Sequence, residues 1–221
     1  LVEGWIDRFY GTLENSSIDH IVLISPNHFN HGHSAIRTTD KAFAAQSSLL
    51  TNELTDFDLE HGISVHTPYL DSYFPHARVT PIMIKNGVQE SRLNTLADEL
   101  AELDPAHTLM LASIDFTHMD PEKVALENDD RTVAFLNDLS STTLNLDRVI
   151  NLAETTNPAP EWDSVAMDSP ETLYVMARVM KAWNATTFEL WARTSSASLI
   201  EGLTSMDNTS HVFGTFSQTS Q

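Results

Sequence analysis

The stretch "NHFNHGH", residues 27–33, places three histidines within six positions at the end of an apolar run. A neutral imidazole binds zinc, iron or copper through one ring nitrogen, and a short rigid loop can aim it. His28 lies nearest the run, and the Ser25-Pro26-Asn27 frame restricts the backbone ahead of it, so His28 is the candidate ligand of the three. His31 and His33 lie further into the loop and read as loop or rim residues. In "ASIDFTHMD", residues 112–120, Asp115 precedes His118 by three positions. A carboxylate can orient an imidazole or hold it charged, and that imidazole then moves protons near neutral pH. In "LEHGISVHTPYL", residues 59–70, His61 and His66 are five apart, so on one helix they point in different directions. They are not expected to form a joint ligand pair, which uses a four-residue spacing. Glu60 either orients one ring or occupies a helix's first turn. Asp168 in "VAMDSPETL" precedes a Ser-Pro helix start, where the helix dipole alone favours an acid. It could also complete a metal site.

Several chemistries are excluded by what the chain lacks. With no cysteine there is no disulfide, thiolate ligand or cysteine nucleophile. No G-x-S-x-G, P-loop or G-x-G-x-x-G motif occurs, and seven glycines in all disfavour a glycine-rich nucleotide cradle. The formal charge of -19, from 31 acidic against 12 basic residues, repels nucleic acid and anionic membranes. The same acidic excess suits a salty cytoplasm, the compartment expected here. No apolar stretch approaches the ~18 residues of a membrane span. The opening "LVEGWIDRFYGTL" reads as an amphipathic helix rather than a cationic leader. At 221 residues and 41% hydrophobic composition, a single domain over 1–221 with a sizeable core is expected.

The elements that must position these residues follow from periodicity. A helix is predicted over 3–13. The run in "DHIVLISPNH" is the pattern of a strand buried on both faces. Residues 41–54 can be helical, and Pro68 must interrupt any helix over 60–74. "ARVTPIMIK" (77–85) reads as a strand. Leu93, Leu96, Ala97, Leu100 and Leu103 form a helical stripe over 89–103. "HTLMLASIDF" (107–116) is the next buried strand. Asp120-Pro121-Glu122 has the composition of a capped helix start, and Ser169-Pro170-Glu171 repeats it for a helix through Trp183. A shorter helix covers 144–154, and "TTFELWART" and "SHVFGTF" close the chain as strands. Alternating strands and helices predict an α/β layered sandwich around a mostly buried sheet, with ligands gathered beyond the carboxyl ends of its strands. "SPNH" and "SIDFTH" both sit at such ends.

The order "IVLISPNHF", "EHGISVHTPYL", "VTPIMIKNG", "LMLASIDFTHMD", a helix, then "MDSPETLYVMARVM" resembles the Memo family, known in prokaryotes as AmmeMemoRadiSam system protein B. The resemblance runs from about Ile21 to Phe216. Its most specific parts are "EHGISVHTPYL" and "SIDFTH", similar to the family's Glu-His-Ser-Ile-Glu helix and its Ser-Ser-Asp-Phe-x-His loop. It implies a fold similar to class III extradiol dioxygenases, which use non-haem iron(II) to cleave catechol rings with O₂. By the same resemblance a metal histidine falls on His28, and the strand-end Asp and His fall on Asp115 and His118, with His118 as acid/base. The family's other metal histidine belongs to an N-terminal strand and Pro-His segment expected upstream of Leu1. Its late Cys-Gly segment aligns near Ala166-Met167, where no cysteine stands. The dioxygenases use a carboxylate in that role, so Asp168 is the expected substitute, ahead of Glu171. Two histidines and one carboxylate make a facial triad for Fe(II), and zinc and copper are the alternative ions.

Three readings follow. In the first, a dioxygenase-like oxidoreductase holds Fe(II) on His28, Asp168 and an upstream histidine. His118 transfers protons, Asp115 orients it, and Glu60, His61 and His66 line the substrate pocket. In the second, the same cleft is a non-catalytic module for a peptide or partner protein. In the third, the ligands hold Zn(II) and activate water for hydrolysis. The ligand is accordingly a small molecule or peptide, and kinship adds a radical enzyme and an AMMECR1-like protein as partners. His211, beside the last strand, is left unassigned.

Overall fold

Strand β1, His20–Pro26, is buried along its whole length, and Ile21, Val22, Leu23 and Ile24 are at most 1% exposed. The computed structural model describes residues 2–13, 17–160, 163–203 and 208–218. In it, β1 pairs in parallel with β4 (Arg78–Ile84) on one side and β5 (Thr108–Ala112) on the other. The five-stranded order is β3-β2-β4-β1-β5. Here β2 (Ile36–Thr38) runs antiparallel to β4, and β3 (Thr51–Asn52) parallel to β2. A strand with neighbours on both edges and cover on both faces must be apolar throughout, which is why β1 reads as an unbroken hydrophobic run. The α/β architecture with a mostly parallel central sheet is therefore the one its sequence pattern implies.

The chain divides into two compact units, Leu1–Ser113 and Ile114–Gln221. The first holds the five-stranded sheet and helices α1 (Glu3–Leu13), α2 (Lys41–Ala44), α3 (His61–Ser64), α4 (Thr67–Tyr73) and α5 (Glu90–Ala101). Along α5, Leu93, Leu96 and Leu100 are wholly buried, as the stripe predicts. Helix α1 packs on α4, where Tyr10 stacks on Tyr69 and Tyr73 at ring separations of 5.5 and 6.3 Å. Pro68 sits in the first turn of α4 and separates it from α3.

The second unit holds α6 (Glu122–Asn137), α7 (Leu146–Ala153), α8 (Pro170–Ala182), β6 (Thr187–Ser195), α9 (Ser196–Leu199) and β7 (Ser210–Ser217). Helix α7 packs on α8, and α6 packs on the antiparallel β6–β7 ladder. Gly214 is required there by close approach: a Cβ would come within 2.3 Å of the Phe188 ring. Asp129 on α6 is buried and accepts from Ser210 Oγ at 2.7 Å, and burial pushes its carboxyl up to about 6.

Two local expectations are corrected. The helix expected over 41–54 stops at Ala44. Ser47 Oγ accepts from the backbone N–H of Leu49 and Leu50, and Glu99 accepts from Ser47 Oγ and from the N–H of Ser48. These bonds offer the backbone a turn in place of a helix. Asp120 does not cap α6, whose cap position is Pro121 with no side-chain bond. Asp120 is instead fully buried, accepting from Thr155 Oγ1 at 2.5 Å and Asn157 Nδ2 at 2.6 Å. Losing a cap costs about 1 kcal/mol, whereas losing two hydrogen bonds to a buried carboxylate costs about 1.5–3 kcal/mol each. Asp120→Ala is expected to fall in the higher range in urea unfolding, and a loss near 1 kcal/mol would restore the capping role.

Candidate functional site

In the first unit the site is built around a buried carboxylate. Glu60, 0% exposed, precedes α3 and accepts from the Gly62 N–H at the helix start. Its Oε2 accepts from the His28 N–H at 3.0 Å, and its Oε1 lies 2.5 Å from His28 Nδ1. Burial alone would push this carboxyl up. The His28 side chain and its charge, together with the N–H groups of Gly62 and His28, outweigh burial and hold it below the usual carboxylate range. A carboxylate paired with one ring nitrogen is the arrangement found behind metal-bound imidazoles. The His61 ring stacks on His28 at 4.0 Å, and its Nδ1 lies 3.5 Å from Glu60 Oε1.

Gly62 makes this possible. A Cβ there would stand 2.2 Å from Ser25 Oγ, so only glycine lets α3 descend onto the carboxyl end of β1. The rest of the histidine loop is held by other groups. His31 Nδ1 meets Asp56 Oδ2 at 2.6 Å, and Glu53 accepts from the His33 N–H at 2.9 Å. Gly32, at φ 77°, folds against the wholly buried Arg37 guanidinium. The reading of His31 and His33 as loop residues therefore agrees with their surroundings.

His66 turns away from His61. Its Nδ1 lies 2.9 Å from Tyr10 Oη and its Nε2 3.0 Å from Ser113 Oγ, and burial pulls it down to about 4.

In the second unit Asp115, His118 and Asp168 each bring one candidate ligand atom within 4.8 Å of the others, and all three are half-buried. The chain leaves β5 and is held here by isolated bridges: His118 N–H donates to Val165 O, and Asp168 N–H to Asp115 O at 3.1 Å. Met119 takes φ 56° and turns the backbone after His118. Thr209 Oγ1 lies 3.2 Å from His118 Nδ1, while Asp115 Oδ2 lies 3.5 Å from Nε2. Asp168 is fixed by the next residue, Ser169, which caps α8 as its sequence predicts. Sequence reasoning leaves out His211 on β7. Burial pulls its imidazole down, and Asp115 and His118 are the charges that act on it. Its place beside the last strand is the one signal the sequence offers.

One imidazole and two carboxylates suit zinc, iron(II) or manganese, and a divalent cation relieves the repulsion between two close carboxylates. The donor types fit such an ion, although the set differs from a two-histidine, one-carboxylate triad. Among the described residues, no helix is long and apolar enough to cross a membrane.

Comparison with known proteins follows this geometry. A family model described as "Memo-like protein" matches residues 7–206. Similar curated proteins include a MEMO1 family protein of Caldivirga maquilingensis, 27% identical over 51% of this chain and 46% of that one. One of Methanosarcina barkeri is 29% identical over 58% and 52%, and one of Methanopyrus kandleri 26% over 54% and 50%. The chain thus spans about half the length of the curated relatives it matches. A solved structure of an uncharacterized Escherichia coli K12 protein superposes with a TM-score of 0.56 at 12% identity, over 95% of this chain and 92% of that one, which shows a common fold.

Two outcomes test the Glu60 frame. A carboxyl depressed in the folded state adds stability above its unfolded value of ~4.3, and that stability is lost as pH falls through the lower folded value. Glu60→Gln is therefore expected to be less stable than wild type at pH 7, with the gap closing on acidification below about pH 4. Urea midpoints at both pH values measure it, and a gap independent of pH would refute it. Gly62→Ala is expected to cost about 1–3 kcal/mol by overpacking, seen as a lowered thermal midpoint.

Proposed function

Because the chain belongs to the Memo-like protein family, we propose that it is a metal-dependent protein with dioxygenase-like oxidoreductase chemistry on a small oxygen-bearing ligand. The observation that carries this reading is the approach of Asp115, His118 and Asp168 to within 4.8 Å. Two carboxylates and an imidazole balance the charge of a dication, and iron(II) is the ion we assign, with zinc as the alternative. His28 is proposed separately, as a metal-ligating group of the first unit. Its place in the family's order of motifs supports this, as does the carboxylate behind its ring in Glu60.

The ion, when bound, supplies Lewis acidity and coordination positions for a chelating ligand and an oxidant. The chain's own groups do the remaining work. Asp168 contributes negative charge from a fixed place ahead of α8. Asp115 faces His118 Nε2 and orients the ring, and Thr209 holds its other nitrogen. His61 lies in ring contact with His28.

The test begins with metal content. Protein purified without chelators is expected to carry about one iron or zinc per chain. Asp168→Asn and His118→Ala are each expected to weaken that binding at least tenfold, read by elemental analysis after dialysis, with folding checked by circular dichroism. Iron(II)-dependent O₂ uptake with a panel of catechols tests the chemistry. Metal content unchanged in both variants would remove the proposed site. Metal binding without O₂ uptake would leave a binding or hydrolytic protein.

A further inference from the structure

Arg37 stands at the centre of β2 in the first unit, and its side chain is wholly buried. Across the ladder its neighbours are Met83 and Thr51. One edge of the guanidinium is occupied. Nη1 donates to Thr55 O at 2.8 Å and stands 3.8 Å from Glu53 Oε1. The other edge carries the N–H groups of Nε and Nη2, which point the same way. Both atoms are buried, and neither has a hydrogen-bond partner among the described residues. A guanidinium keeps its charge at any pH a protein meets, so it cannot escape burial by losing a proton. Buried charges are held by partners, and here half of the fork still calls for one.

The charges nearby do not cancel. Lys85 Nζ donates to Gly32 O at 2.7 Å. The Gly32 backbone lies so near Arg37 that a Cβ there would meet Nη1 at 2.3 Å and Glu53 Oε1 at 2.6 Å. Two cations and one carboxylate therefore meet around Gly32. Glu53 is already engaged, accepting from the N–H groups of His33 and Ser34 at 2.9 and 3.2 Å. Asp56 is taken by His31 Nδ1. One positive charge is left over, in a chain whose net charge is -19. The buried Phe57 ring lies 5.5 Å from the guanidinium carbon. An apolar wall of this kind strengthens any charge pairing made beside it.

We propose that the Nε–Nη2 edge of Arg37 is a binding site for a small monocarboxylate, a structural anion of the first unit. Two N–H groups that point the same way match the two oxygens of one planar carboxylate, the fork geometry in which this pairing is strongest. One negative charge closes the count of two cations against one carboxylate. A phosphate dianion overshoots that count and needs donors beyond a single fork. A halide lacks the two separated acceptor atoms. The site involves none of the residues assigned to metal, and it stands whether or not the chain binds one.

Formate is the probe. Replacing sodium chloride by sodium formate at constant ionic strength is expected to raise the thermal midpoint of the whole chain by about 3 °C. Arg37→Met keeps much of the bulk and removes the fork, and its midpoint is expected not to respond. Arg37→Lys keeps the charge as a point, and a smaller rise is expected. An equal rise in wild type and Arg37→Met is a general salt effect and would overturn the site. Should that variant not fold, the wild-type chain decides alone. In spectra of ¹⁵N-labelled arginine, the Arg37 Nε–H signal is assigned through its own side-chain carbons. It is expected to move on addition of formate and to show a nuclear Overhauser contact with the formate proton. A signal that contacts water alone and ignores formate would overturn the proposal. So would a response to chloride or phosphate equal to the response to formate.

Discussion

A carboxylate with no exposure to water has to be surrounded by donors, and Glu60 recruits them from two places distant in sequence. One is the amino end of its own short helix. The other is the His28 loop, which contributes both a backbone N–H and a ring nitrogen. That single requirement ties the loop after β1 to α3. It also explains why so short a helix can stand at the end of the sheet. Helix α3 lacks the length to be stable alone, and its position comes from Glu60 and from the missing side chain at Gly62.

The second unit solves a related problem differently. Its polar cluster has no regular element beneath His118. Single bridges to Val165 and Thr209 hold the loop while Asp168 is set by the capped start of α8. Bringing Asp115 and Asp168 so near a single imidazole carries a repulsive cost in a chain of net charge -19. A dication held there would offset that cost, which is the physical reason to propose a metal at the cluster. A solvated acidic surface would spread its charges apart.

Much of this was legible before any coordinates. The buried strand β1, the stripe of α5, the Pro68 break and the Ser169 cap all follow from local periodicity and backbone chemistry, and each is where its pattern places it. Errors arose where side chains engage partners outside their own segment. The serines at 47 and 48 look compatible with a helix until Glu99 is brought beside them. Asp120 looks like a cap until Thr155 and Asn157 arrive to be satisfied. For His66, expected at the pocket, the packing of α1 on α4 adds Tyr10, a partner that no local pattern shows.

The amino-acid order by itself determined the α/β class, the chemistry-bearing residue types and the loops that carry them, because these depend on periods of two and 3.6 and on fixed side-chain chemistry. The tertiary structure alone decided which polar groups face one another. Glu60 with His28, Tyr10 with His66 and Asp115 with Asp168 are separated by 32, 56 and about fifty positions. No local propensity encodes such pairings; they are set by the demand that every buried donor and acceptor find a partner once the sheet and helices close around it.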